Sequence, residues 1–154
     1  MTRIGMALAA AALWIGSAQA VELDPKAVVY TLPENIKWVV NERAGNAQAV
    51  ITGDPSKPGL YVVLTKWLAG NHFSRPHFHP NDRFITVIKE RWWVGSGPNF
   101  DTNATVPLGP GTVVTHYGKQ VHYDGAKDED AVLIIVGEGP ATSTPFVAAE
   151  GMEK

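Results

Sequence analysis

The stretch GNHFSRPHFHPNDR, residues 70–83, is the part of the chain that says most about its fold and chemistry. It contains three of the five histidines in the chain, and two of them stand in the triplet His77-Phe78-His79. In a β-strand, residues two positions apart point to the same face, so a strand here presents two imidazoles side by side. We therefore predict a strand over residues 73–79 that carries two neighbouring metal ligands.

Outward from this stretch, short apolar runs alternate with turn clusters, and no sustained helical period is present. The 15 Gly and 11 Pro of the 154 residues supply the backbone angles that tight turns need. This pattern predicts an all-β fold, an antiparallel sandwich or small barrel. The candidate strands cover residues 28–30, 38–40, 47–53, 60–68, 73–79, 83–89, 91–96, 105–108, 112–116, 121–124 and 131–138.

Strand parity predicts which side chains fill the core. In the run YVVLTKW, residues 61–67, Tyr61 and Trp67 share one face and Lys66 lies on the other. If Lys66 is solvated, the face that carries the two aromatic residues lines the interior. The run VLIIV, residues 132–136, is apolar at every position, which is typical of a strand covered on both faces, here by the barrel wall and by a partner or terminal segment. An exposed apolar outer face would favour a homodimer.

The N-terminus predicts an export signal. Arg3 precedes an apolar run over residues 4–15, and Ala18-Gln19-Ala20 places small residues where signal peptidase cleaves. The run is shorter than the ~20 residues that a membrane span needs, and a polar segment follows it. We expect residues 1–20 to be a signal peptide and residues 21–154 a single domain that is periplasmic or secreted, with no membrane association after cleavage.

Composition excludes several classes of function. Thirteen basic against 15 acidic residues give a net charge of −2, without the basic field that a nucleic-acid partner requires. The absence of cysteine excludes a disulfide, a thiolate nucleophile and a thiolate metal ligand. Neither a phosphate-binding loop nor a serine nucleophile elbow is present. A small-molecule substrate or ligand is the remaining expectation, and any metal must be held by histidine and oxygen ligands.

Histidines are the candidate ligands. His77 and His79 form one pair, His122 is the candidate third ligand, and His116 is a second-tier ligand. Neutral imidazole suits one divalent transition metal ion, which is Fe, Mn, Ni, Cu or Zn. Three histidines with open positions are typical of a catalytic site, whereas surface or core imidazoles remain the alternative for a bare pair.

Two runs of this sequence resemble the motifs of the cupin superfamily. Residues 70–83 with the following residues 92–95 resemble the first motif, G-x5-H-x-H-x3–4-E-x6-G, and residues 110–122 resemble the second, P-G-D-x4-P-x-G-x2-H. The resemblance covers about residues 45–139 and implies an antiparallel β-barrel or jelly roll that holds a metal inside. Residue by residue, it implies that His77, His79 and His122 are metal ligands.

Departures from the motifs change the set of metal ligands that the resemblance implies. Arg83 stands where these cupins have a ligand Glu, and a guanidinium cannot bind a cation. Glu90 and Lys119 stand at glycine positions of the motifs, and Tyr117 at a proline position. The resemblance therefore implies a three-histidine site, similar to those of thiol dioxygenases and diketone-cleaving dioxygenases, which use ferrous iron and O₂.

Arg83 and Tyr117 are the candidate catalytic residues. Arg83 inside the site would hold a substrate carboxylate or enolate by a bidentate contact. The alternatives are that Arg83 turns outward, that it pairs with Asp82 or Asp124, or that its charge abolishes metal binding. Tyr117 or Asp124 would act as the base if the reaction needs one.

These expectations lead to three hypotheses of function. The first is an exported cupin that binds a metal and oxidises a small organic substrate with O₂, the substrate being anionic if Arg83 contacts it. The second is a periplasmic cupin that binds a small ligand or a metal without catalysis. The third is a metal-dependent isomerase or lyase.

Overall fold

The computed structural model describes residues 22–147, and the chain divides at Leu32/Pro33 into two units. The predicted signal peptide lies outside the described residues. Residues 22–32 contain a turn in which the N–H groups of Ala27 and Val28 donate to the carbonyl of Asp24. The predicted strand over residues 28–30 is wrong, because these residues form no strand and their side chains are exposed.

Over residues 33–147, the second unit is built from strands and two single-turn 3-10 helices, Pro33–Asn35 and Thr102–Ala104. The strands are β1 Val39–Asn41, β2 Asn46–Thr52, β3 Gly59–Trp67, β4 His72–Phe73, β5 His77–Phe78, β6 Arg83–Lys89, β7 Trp92–Ser96, β8 Val106–Leu108, β9 Val113–His116, β10 His122–Ala126, β11 Ala131–Gly139 and β12 Thr144–Pro145.

The strands form two antiparallel sheets. The first sheet has the order β1-β2-β3-β11-β6-β9. The second has the order β12-β5-β10-β7-β8, and β4 also pairs with β10. The predicted all-β, antiparallel fold is confirmed, and two such sheets around one core form a jelly roll. Among the described residues, no helix is long and apolar enough to cross a membrane.

One hydrophobic core lies between the sheets. It combines Tyr61 and Trp67 of β3 and Ile85 of β6 from the first sheet with Trp92 of β7 from the second. The predicted interior face of β3 is therefore confirmed. Lys66, on the opposite face, places its ammonium group 4.7 Å from the centre of the Trp38 ring, a cation–π contact.

The outer face of the first sheet is apolar and partly exposed. Along β11, interior residues are buried, whereas the alternate residues Val132, Ile134 and Val136 are only partly buried. The expectation that a partner or a terminal segment covers this second face of β11 stays a prediction. We call this surface the outer apolar face; it comprises Leu60, Val62, Leu64, Phe84, Ile88, Val113, Val132, Ile134 and Val136.

Two tight turns keep a left-handed backbone at positions where the cupin motifs have glycine and this chain does not. Glu90, between β6 and β7, has φ +56°, and Lys119, between β9 and β10, has φ +63°. These are the positions at which the motifs have glycine, which adopts positive φ without a steric penalty. The left-handed turns are therefore present although a side chain stands in each.

We predict that Glu90→Gly stabilises the protein by roughly 0.5 to 1 kcal/mol, because glycine removes the clash of Cβ at positive φ. The greater conformational entropy of glycine in the unfolded chain offsets part of this stabilisation. Urea unfolding of the two proteins measures the difference. Glu90→Ala is the matched control, because it removes the carboxylate and keeps Cβ. An equal gain in both variants would show that the carboxylate, not the backbone angle, is the cause.

Candidate metal centre

Strand pairing brings the predicted ligands together. His122 of β10 lies opposite His77 of β5, and His79 follows β5 directly. All three imidazoles are buried, and each offers a ligand atom within 4.8 Å of the others. The predicted strand over residues 73–79 is interrupted at Ser74–Pro76, so its continuity is wrong. The two histidines nevertheless face the same cluster.

In each of the three rings, the Nδ1 atom is hydrogen-bonded to a backbone carbonyl oxygen. The Nδ1 atoms of His77, His79 and His122 lie 2.8, 2.8 and 3.1 Å from the carbonyl oxygens of Arg75, Thr142 and Gln120, respectively. A carbonyl can only accept, so each Nδ1 donates and each neutral ring keeps a lone pair on Nε2. This is the arrangement in which metal-binding histidines are normally oriented.

The Nε2 atoms of His77 and His79 are 3.1 Å apart. Neither carries a hydrogen in the tautomer that the carbonyls select, so the two atoms present lone pairs to each other. Two nitrogens bound at ~2.1 Å to one ion, at angles between octahedral and tetrahedral, stand about 3.0 to 3.4 Å apart. The donor set, its tautomers and its spacing therefore fit a divalent transition metal ion.

Burial keeps the imidazoles of His79 and His122 neutral. Desolvation, together with the nearby Arg83 charge, lowers the pKa of His79 to about 3. Desolvation also lowers the pKa of His122 to about 4, against the opposing effect of Asp124. Both rings are thus unprotonated at neutral pH, and the neutral form is the one that binds a metal.

His116, the second-tier ligand, lies beside the cluster. Its ring centre is 3.8 Å from that of His122, and with His122 and Asp124 it forms a second group that could hold a metal. Its Nδ1 accepts from the guanidinium of Arg83 at 3.3 Å, so the ring proton is on Nε2. That Nε2 is buried without a hydrogen-bond partner. Desolvation lowers the pKa of His116 to about 2.

Arg83 points into the site, so the alternative that it turns outward is wrong. Its Nη2 lies 3.3 Å from Nδ1 of His116 and 3.4 Å from Nε2 of His122. Neither acidic neighbour forms an ion pair with it within 4.0 Å, because Asp82 accepts from the Gly118 N–H and Asp124 accepts from the Trp92 indole. The guanidinium therefore contacts imidazoles instead of a carboxylate.

Tyr117, the other candidate catalytic residue, is 64% exposed. The two cavities that adjoin the histidines are lined by other residues. Its predicted role as a base stays a prediction without geometric support. Asp124, the alternative base, is buried and lines the cavity beside His77 and His79.

Two adjoining cavities, of about 210 and 440 Å³, meet at His79 and Arg83. The smaller one is also lined by Asn46, Gln48 and Thr65, which sequence reasoning did not propose. For Thr65 the sequence offered a signal, because strand alternation places it on the interior face of β3 with Tyr61 and Trp67. The register of β2 on β3, which brings Asn46 and Gln48 to the same face, required the structure.

Comparison of the fold with solved structures identifies its relatives. RemF from Streptomyces resistomycificus, described as a polyketide cyclase, is 14% identical with a TM-score of 0.64, over 80% of this chain and 88% of that chain. A cupin-2 domain protein from Rhodospirillum rubrum is 16% identical with a TM-score of 0.59, over 80% and 82% of the two chains. KdgF from a Halomonas species is 19% identical with a TM-score of 0.56, over 72% and 93%.

Neither a protein-family model nor a curated protein matches the sequence. At these identities the structural likeness establishes the fold alone. The antiparallel jelly roll, the inward-facing histidines and the structural relatives agree with the resemblance of the two sequence motifs. This chain has the cupin fold.

Proposed function

We propose that this protein is a metal-binding cupin that oxidises a small organic substrate with O₂. In this proposal His77, His79 and His122 hold one divalent transition metal ion. The observation that carries it is the convergence of their three carbonyl-oriented rings within 4.8 Å of one another, beside a cavity that His77 and His79 line. A three-histidine set leaves coordination positions open for substrate.

The chain itself supplies orientation and shelter. The carbonyls of Arg75, Thr142 and Gln120 keep the ligand lone pairs directed at one point, and core side chains such as Trp92 and Leu133 line the cavity and limit water. A bound redox-active metal would supply Lewis acidity and electrons for reaction with O₂. Insertion of both oxygen atoms into the substrate needs no external reductant.

Two other functions are each favoured by one observation. The buried carboxylate of Asp124 at the cavity favours a metal-dependent isomerase or lyase, because such a reaction needs a base. RemF, one of the structural relatives, is described as a polyketide cyclase, and that description does not name an oxidation either. The contact of Arg83 with Nε2 of His122 favours a non-enzymatic binding protein, since it occupies a ligand atom.

We also propose that the protein acts in the periplasm or outside the cell and forms a homodimer. Residues 1–20 support export through their charge, apolar run and cleavage site. The outer apolar face supports the dimer, because partly exposed Leu, Ile, Val and Phe side chains lie on adjacent strands across one sheet.

The metal centre predicts about one metal ion per chain in protein purified without chelators, measured by mass spectrometry. His77→Ala and His122→Ala should each lose the ion, because each variant removes one of three ligands. His72→Ala, a histidine outside the cluster, is the matched control and should retain it. Circular dichroism checks that all variants fold. Wild-type protein without metal, even after reconstitution, would contradict the metal centre.

Oxygen uptake tests the reaction class. With the metal-loaded protein we expect consumption of O₂ in the presence of at least one member of a panel of diketones, thiols and phenols. His77→Ala should abolish the uptake. Substrate conversion without O₂ consumption would instead support the isomerase or lyase. A ligand-induced thermal shift without any conversion would support the binding protein.

The homodimer predicts a mass in solution twice that of the chain, measured by light scattering. Phe84→Glu places a charge on the outer apolar face and should give a monomer, because an unpaired charge in an interface costs several kcal/mol. Val106→Glu is the matched control, since Val106 is similarly exposed but belongs to the second sheet. Loss of the dimer in both variants, or a monomeric wild type, would overturn the proposed interface.

A further inference from the structure

Arg83 makes its contacts with histidine nitrogens that must accept. It lies at the start of β6, opposite His116 in the pairing with β9. Its Nη2 donates to Nδ1 of His116 and to Nε2 of His122 at 3.3 and 3.4 Å. A guanidinium has five donor hydrogens and no acceptor, so the lone pairs of both rings point to Arg83.

The atom that Arg83 contacts on His122 is the atom that a metal needs. Nδ1 of His122 is committed to the carbonyl of Gln120, which leaves Nε2 with the only lone pair in the ring plane. That lone pair can serve either Arg83 or a metal ion. The positive charges of the guanidinium and the ion also repel each other in a buried site. Arg83 and the metal therefore compete for His122.

The guanidinium itself lacks an anionic partner. Its Nε is buried without a hydrogen-bond partner, and no described carboxylate lies within 4.0 Å of it. A buried, incompletely satisfied guanidinium is costly, and a carboxylate with two acceptor oxygens is the group that matches its fork of donors.

The cavity beside Arg83 presents a second unsatisfied donor. The hydroxyl of Thr65 is buried without a partner, and Thr65 and Arg83 both line the cavity of about 210 Å³. Arg43 and Arg75 line a further groove, which shares Asn46, Trp67 and Ser74 with this cavity. A small carboxylate thus meets positive charge at the groove and unpaired donors in the cavity, where the carboxylate of Asp124 already accepts from the Trp92 indole.

We propose that a small carboxylate binds Arg83 in this cavity and draws it away from His122, so that carboxylate and metal bind cooperatively. The inference rests on the metal centre of the proposed function and specifies its substrate class. Since coupling between two binding sites is reciprocal, the metal raises the affinity for the carboxylate by the same factor.

Isothermal titration with Co²⁺ tests the coupling in the full, folded protein at constant ionic strength. The probe is acetate, and acetamide is the neutral control of nearly the same shape. We expect acetate to lower the Kd for Co²⁺ at least about fivefold, the lower end of typical coupling, and acetamide to leave it unchanged.

Arg83→Met and Arg83→Gln remove the charge while keeping much of the side-chain volume. We expect each variant to bind Co²⁺ at least about fivefold more tightly than the wild type without acetate, and to lose the response to acetate. If circular dichroism shows that one variant fails to fold, the other variant is used for this comparison. The comparison of acetate with acetamide requires only the wild type.

The outcomes separate the inference from the function on which it rests. An equal response to acetate in the wild type and Arg83→Met would overturn the coupling, because the effect would then arise from the metal and acetate alone. Unchanged Co²⁺ affinity in both Arg83 variants would also overturn it, while the metal centre would stand. Co²⁺ binding that is absent, or insensitive to His77→Ala, would overturn both.

Discussion

The pairing of β10 with β5 is the constraint on which the site depends. It places His122 opposite His77, although the two residues are 45 positions apart in the chain. β10 also pairs with β4 and β7, and all five of its residues are buried. Because a shift of one residue would turn every side chain of the strand to the other face, this register and the direction of His122 are inseparable.

Hydrogen bonding inside the core gives the cluster its chemical direction. Each of the three buried imidazoles satisfies one nitrogen on a backbone carbonyl, which lowers the cost of burial and leaves the lone pair of the other nitrogen free for the cluster. Arg83 adds a positive charge at the same place. The centre therefore combines electron-pair donors with a permanently charged guanidinium, which is the reason we propose that a metal and an anion bind together.

Regular strands were the most predictable part of the fold. The predicted bounds of β6 agree with the structure, those of β7 and β11 differ by one residue at one end, and those of β3 by one residue at each end, because alternation and turn residues are local signals. The break at Ser74–Pro76 was missed because it depends on a distant contact. The N–H and hydroxyl of Ser74 both donate to the carbonyl of Asp124, fifty residues away.

The candidate site, like the fold, was predictable where the signal was local and not where it was distant. His77 and His79 could be assigned to one face from their spacing, and His122 followed from the resemblance of its motif. Tyr117, near His122 in sequence, is exposed, since the chain reverses through the left-handed turn at Lys119 between them. Proximity along the chain was therefore a poor guide to proximity in space.

By itself, the sequence determined the all-β class, the interior face of β3, the identity of the candidate ligands and the replacement of a ligand Glu by Arg83. Only the tertiary structure decided which nitrogen of each ring bonds a carbonyl and that Arg83 contacts His122. These features depend on hydrogen bonds between distant segments, such as that from His79 to the carbonyl of Thr142, 63 residues away. Local patterns encode which face a side chain takes, whereas its partners across the core are set by strand pairing and packing.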